Sequence, residues 1–152
     1  MEATKQVVFK LGEEEYGFDI LKVNGIETYH GVVSVPNAPD YILGILNLRG
    51  DVIPVYSLRT KFGMKETKEP ASQLIVIRSQ EITVGVKVDA VVGIEEFQPK
   101  ELSDVPTIIR SKKTKYAKQV ANKNSKMIML LDDEGLLDDK EQESIAKLIE
   151  EQ

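Results

Sequence analysis

Apolar residues in this chain alternate with polar ones in short runs, and each run is stopped by a turn residue. Gln6–Leu11 centres on Val7-Val8-Phe9 and ends at Gly12. Tyr16–Ile20 puts Tyr16, Phe18 and Ile20 on one face and Gly17 and Asp19 on the other, the period of a half-buried strand. Val32–Val35 reads as another short strand before Pro36 and Pro39, which break regular structure. Ile45–Leu48 and Val52–Tyr56 flank Arg49-Gly50-Asp51, a hairpin signal in which glycine supplies a positive φ. Leu74–Ile77 and Ile82–Val88 flank Ser79-Gln80-Glu81, a second hairpin, and Met127–Leu131 reads as a buried strand. Short strands and turns at this spacing predict a mainly β fold of barrels or sandwiches.

Helical signals are few. Asp138 followed by Glu141 reads as a capping box, and Ile145, Leu148 and Ile149 then share one face, predicting a terminal helix over about 138–151. A short helical turn is predicted near Leu58–Phe62. Residues 64–72, MKETKEPAS, are polar and contain proline, so they read as a linker.

The chain also resembles itself. YGFDILKVNGI (16–26) aligns without gaps to VGVKVDAVVGI (84–94), with Gly17/Gly85, Val23/Val91, Gly25/Gly93 and Ile26/Ile94 identical. Upstream, Gln6-Val7-Val8-Phe9 parallels Gln73-Leu74-Ile75-Val76; downstream, Asn47 with VIPVY parallels Asn122 with MIMLL. The preserved order of three blocks predicts two similar β subdomains within a single domain spanning 1–152. They are placed at about 6–70 and 71–152, with about five strands each. Subdomains this small need a shared apolar seam.

Composition narrows the chemistry. The chain has 152 residues, no cysteine, no tryptophan and one histidine, His30. That excludes thiol catalysis, disulfides and multi-histidine metal sites, and no cofactor or metal is expected. His30 lies in a predicted turn. No apolar run approaches the ~18 residues of a membrane span, and the N-terminal segment lacks an apolar signal core, so a cytoplasmic location is expected. The net charge of −5 is uneven: residues 110–131 hold seven basic groups and no acid, residues 132–152 nine acids and two bases. The basic run suits a solvated loop and hairpin, or phosphate binding. Only Tyr116 interleaves it, which is thin for base stacking.

Other candidates dissolve on inspection. Arg49-Gly50-Asp51 spells an adhesion tripeptide but reads as a turn. Asp132-Asp133-Glu134-Gly135 lacks the spacing of a calcium loop. Glu95 and Glu96 are neighbours in a strand and face opposite ways. No phosphate-binding glycine loop occurs. What remains is LGILNLRGDVIPVYSLRTKFG, residues 43–63. In it Gly44 permits close approach or an unusual φ and Asn47 can bond its own backbone in a turn. Arg49 carries a guanidinium able to hold a carboxylate or carbonyls.

At these residues the chain resembles the CheW family of bacterial chemotaxis coupling proteins. The family core stands here as Asn47-Leu48-Arg49-Gly50 followed by Pro54, and YGFDI (16–20), VPNAPDYILG (35–44), VGVKVDAVVG (84–93) and MIMLLD (127–132) follow the family's order. The resemblance covers about residues 6–149 and implies two five-stranded SH3-like β-barrel subdomains sharing a core, with a short C-terminal helix. It implies no enzymatic activity. The implied role is an adaptor joining the cytoplasmic tip of chemoreceptors to the regulatory domain of the histidine kinase CheA, reaching the membrane only through the receptors. By position, Gly44, Asn47 and Arg49 match the receptor-binding groove, and Val7, Ile20 and Val23 the kinase-facing apolar surface. Gly50 and Pro54 match structural turn and sheet-break positions. Gly25 and Gln119 depart from the pattern; the family often has an acid where Gly25 stands, and Glu27 lies two residues on. The length predicts the stand-alone adaptor rather than a fusion. The alternative from another class is a small β-barrel nucleic-acid binder using residues 110–126. A hydrolase or lyase has no constellation to support it.

Overall fold

The computed structural model describes residues 3–66, 72–79, 82–105, 116–132 and 147. It is mainly β, as the alternation predicts. The strands are β1 (Thr4–Leu11), β2 (Glu14–Asp19), β3 (Val23–Thr28), β4 (Ile42–Leu48), β5 (Asp51–Ser57), β6 (Gln73–Ser79), β7 (Ile82–Val88), β8 (Ala90–Phe97), β9 (Leu102–Asp104), β10 (Ala117–Lys123) and β11 (Lys126–Leu131). A one-turn helix α1 (Leu58–Lys61) follows β5, with the Ser57 hydroxyl accepting the Thr60 N–H. Apart from residue 147, the predicted helix over 138–151 lies outside the described residues, as do the basic residues 110–115. The Val32–Val35 run is not a strand: only Val33 bridges to Ile45. Gly31 in the left-handed region before it and Pro36 after it leave too little length for a ladder.

The strands form a sheet of six, ordered β8-β1-β2-β11-β10-β9, and a sheet of five, ordered β3-β6-β7-β5-β4. Setting aside the three-residue β9, the two orders are the same pattern. A hairpin (β1–β2 or β6–β7) is flanked on one side by a strand from elsewhere and on the other by a parallel-paired hairpin (β11–β10 or β5–β4). The internal repeat is therefore structural, but its halves are interlaced. After β2 the chain crosses to the sheet of five as β3, and after β7 it crosses to the sheet of six as β8. The sheets consequently do not divide the chain near residues 70 and 71; each takes strands from both sides of the 64–72 segment.

Packing follows the same symmetry. A flat six-stranded sheet would hold its outer strands roughly 24 Å apart at the usual spacing. Here Phe97 on β8, Leu102 on β9, Ala121 on β10 and Val8 on β1 share one cluster, so the sheet curls. The sheet of five curls over Ile53, Val55, Leu74 and Val76, with Leu46 and Leu48 of its far edge packed against them. The identical glycines of the repeat make room for these interiors. A Cβ on Gly17 would lie 3.1 Å from a Leu130 methyl, and one on Gly85 3.0 Å from a Leu74 methyl.

Between the sheets lies the main core. Val7, Phe9, Leu11, Tyr16 and Phe18 of the sheet of six meet Tyr56, Ile75, Ile77, Val84, Val86 and Val88 of the sheet of five. An aromatic file, Phe18–Phe9–Tyr16–Phe62–Tyr116, runs through it with centroid separations of 5.2 to 5.9 Å, a favourable range for ring pairs. This is the shared seam that two small subdomains require.

One crossover is pinned electrostatically. Asp89, between β7 and β8, accepts two bonds from the Arg59 guanidinium of α1 at 2.7 and 2.5 Å. It also accepts the Gly12 N–H from the β1–β2 turn at 2.7 Å. Burial alone would raise the Asp89 pKa, but the Arg59 and Gly12 donors outweigh it and hold the carboxyl below its usual range. Because the folded pKa is depressed, the stabilisation is present above the unfolded value of about 3.9 and is lost as pH falls through the folded one. Asp89→Asn is expected to lower stability by about 1–3 kcal/mol at pH 7. In urea unfolding at a series of pH values, the gap between wild type and variant should close below about pH 4; a gap that persists into acid would remove this ion pair from the account.

Candidate functional site

The β4–β5 hairpin closes with two residues, because Leu48 pairs with Asp51. Gly50 has φ +91° as expected, but Arg49 is also left-handed at +53°. Two successive positive φ values make the primed turn that matches strand twist, and the non-glycine member is strained. Asn47 holds the turn: its Oδ1 accepts the Gly50 N–H at 3.1 Å. The equivalent β10–β11 turn, Asn124-Ser125, repeats the geometry with φ +52° and +66°.

This turn projects Arg49 so that its side chain is 75% exposed. Its Nη2 donates to Glu27 Oε1 on β3 at 2.7 Å. β3 and β4 are the two edges of the five-stranded sheet, so the ion pair spans the mouth of that curled sheet. Beneath it lies a pocket of about 170 Å³ flanked by Gly25, Glu27, Arg49 and Asp51, with Ile53 and Val76 as its floor.

Gly44 plays a different part. It is buried, and a Cβ there would sit 2.2 Å from the Val33 carbonyl oxygen. Its bareness lets the 32–33 segment cross β4, where Val33 and Ile45 exchange two backbone bonds of 2.9 and 2.8 Å. Those bonds also explain Pro54. Ile45 turns its polar groups toward Val33, so its partner Pro54 turns its nitrogen toward β7, whose pairing with β5 begins only at Val55. A residue without an N–H is tolerated there.

The three apolar residues expected on a second face are placed unequally. Val7 is 1% exposed inside the central core, so its side chain reaches no surface in this fold. Ile20 and Val23 are half-buried against the same core at the β2–β3 crossover. Leu21 between them, which the sequence reading passed over, is 86% exposed. Nothing local in the sequence marks Glu27 as the partner of Arg49; closure of the sheet, which brings its β3 and β4 edges together, makes the pair.

The basic segment gains no support from its described part. Lys123 donates to the Glu96 carbonyl at 2.7 Å, Lys126 lies 3.6 Å from Glu15, and Tyr116 is stacked on Phe62. Among the described residues no cluster of acids and histidine could hold a metal, and no helix is long and apolar enough to cross a membrane.

Fold and site together define a double β-subdomain module that presents a strained, charged turn at the mouth of one curled sheet. The model of the CheW-like domain family matches residues 5–141. The chain is 34% identical to the chemotaxis protein CheW of Klebsiella aerogenes over 136 residues, 89% of this chain and 82% of that one. It is 30% identical to the chemotaxis protein CheW of Helicobacter pylori over 90% of this chain and 82% of that one. The crystal structure of the scaffolding protein TtCheW from Thermoanaerobacter tengcongensis superposes with a TM-score of 0.80 at 32% identity, covering 87% of this chain and 90% of that one. This chain belongs to the CheW-like family, and its two sheets are the two SH3-like subdomains of that fold.

Gly44→Ala tests whether the glycine shapes the site rather than touching a partner. With a backbone oxygen in the way, the variant is expected to lose more than about 2 kcal/mol of stability, read as a lowered urea midpoint. An unchanged midpoint would overturn that assignment.

Proposed function

We propose that this protein is a non-enzymatic coupling protein of bacterial chemotaxis, joining the cytoplasmic tip of chemoreceptors to the regulatory domain of the histidine kinase CheA. The observation that carries the reading is the family match over nearly the whole chain, with the family's Asn47-Leu48-Arg49-Gly50 block standing as an exposed, strained turn. In this reading the chain works in the cytoplasm and meets the membrane only through receptors.

The receptor contact is assigned to Arg49, with Asn47 and Gly50 fixing its turn and Gly44 and Pro54 shaping the strands behind it. Fixing the backbone beforehand lowers the entropy that docking must remove. The kinase contact is assigned to the β2–β3 crossover, through the accessible parts of Ile20 and Val23 and through Leu21. Val7 supports that face from within the core. The kinase's regulatory domain is itself CheW-like in this family, so an apolar patch beside a strand edge is a fitting counterpart. Each contact is modest alone, about micromolar, and an array of many copies strengthens it.

Two measurements test the reading. Calorimetric titration against the isolated regulatory domain of the cognate kinase should give a saturable one-to-one complex; no heat and no co-migration on a sizing column would remove the coupling role. Arg49→Glu should weaken binding of a receptor-tip fragment by about 1–3 kcal/mol while the urea midpoint stays at the wild-type value. Undiminished affinity would take Arg49 out of the receptor site.

A further inference from the structure

We infer that Glu27 is an internal stand-in for a carboxylate on the docking partner, so that binding at Arg49 exchanges one ion pair for another instead of adding a new one. The inference rests on the receptor site proposed above and concerns how that site is held when empty.

Three observations carry it. First, the guanidinium already donates to a carboxylate. Its bond to Glu27 is a single Nη2–Oε1 contact of 2.7 Å, which leaves the fork geometry suited to a bidentate carboxylate unused. Second, the pair is weakly held. Arg49 is 75% and Glu27 28% exposed at the side chain, and exposed pairs of this kind contribute little in water. The strained turn beneath stays fixed by Asn47 whether or not the pair is made. Third, the other sheet offers a contrast. At the near-equivalent place in the sheet of six, the cation at the end of β10, Lys123, bonds to a backbone carbonyl of β8 rather than to a carboxylate. Of these two contacts between edge strands, the Arg49 one sets charge against charge, over an apolar floor of Ile53 and Val76.

The local balance points the same way. Glu27 and Asp51 put two negative charges around one positive charge at this mouth. An incoming carboxylate must displace Glu27 and approach against its charge. Neutralising Glu27 removes both obstacles, while a Glu27 that merely aimed Arg49 would be missed when lost.

The test is a double-mutant cycle read as affinity for a fragment of the cognate chemoreceptor's cytoplasmic tip. Glu27→Gln, an isosteric change at the surface, is expected to tighten binding about three- to tenfold, with Glu27→Ala as a second variant giving the same direction. In an Arg49→Gln background the gain should vanish. Weakened or unchanged affinity for Glu27→Gln, while Arg49→Gln still weakens binding, would overturn the stand-in role and leave the receptor site standing. Arg49→Gln without effect on affinity would overturn the receptor site itself, and the stand-in role with it.

Discussion

The apolar seam between the two sheets is the constraint on which the rest of the molecule depends. Five or six short strands curl over only a handful of side chains, as the small interior clusters show, and so few buried groups do not stabilise an independent domain. The seam supplies the remainder by stacking one face of β1–β2 on one face of β6–β7. Each fully buried aliphatic or aromatic side chain there is worth about 1.5–3 kcal/mol relative to exposure. The chain then makes the association obligatory. Because β3 and β8 each leave their own hairpin and complete the opposite sheet, neither sheet closes without the other half of the sequence.

This interlacing decides where function is available. Both seam faces are occupied, so the surface left accessible lies at the crossovers, the edges and the hairpin tips. The crossovers are treated differently from one another. At β7–β8, Asp89 gathers Arg59 of α1 and the Gly12 amide, and the polar groups are engaged internally. At β2–β3 the repeat-equivalent position of Asp89 is Leu21, and it is exposed. One crossover is a single bend locked by charge; the other is a short 3-10 turn, Ile20–Lys22, capped by Asp19 and presenting the Leu21 side chain to solvent. Equivalent positions of the repeat are thus engaged internally in one copy and exposed in the other.

Much of this was legible in the sequence, and the parts that were not share a cause. Runs such as Val7-Val8-Phe9 and Leu74-Ile75-Val76 announce strands because both of their faces are buried. The Arg49-Gly50 turn and the short helix after β5 follow from local chemistry alone. β3 and β8 were harder: as sheet edges they carry Asn24, Thr28, Glu95 and Glu96 among their apolar residues, and their alternation is diluted. The crossing of strands cannot be read from a repeat, since exchanging the third strand between two like copies leaves the sequence pattern unchanged. Val7 shows the same limit on a smaller scale. Alternation says that it shares a face with Phe9, but not whether that face meets solvent, a partner or the other sheet. The Arg49–Glu27 pair joins residues 22 apart on opposite edges of one sheet, and only closure of the sheet brings them together.

The hairpin tip combines a rigid backbone with an exchangeable side-chain bond, and the two properties have separate sources. Rigidity comes from the primed turn, from the Asn47 bond across it, and from the close crossing at Gly44 that anchors β4 from behind. A left-handed arginine costs about 1–3 kcal/mol, which the surrounding fold must offset, and such a residue persists only where its neighbours leave no alternative. The side chain, by contrast, is held by one exposed contact of small net value. A partner that engages Arg49 therefore has no backbone to reorganise and little to displace. That division suits the coupling role proposed above, in which contacts are specific in geometry yet modest in strength, so that two partners acting on one assembly would shift it by amounts comparable to ordinary allosteric coupling energies.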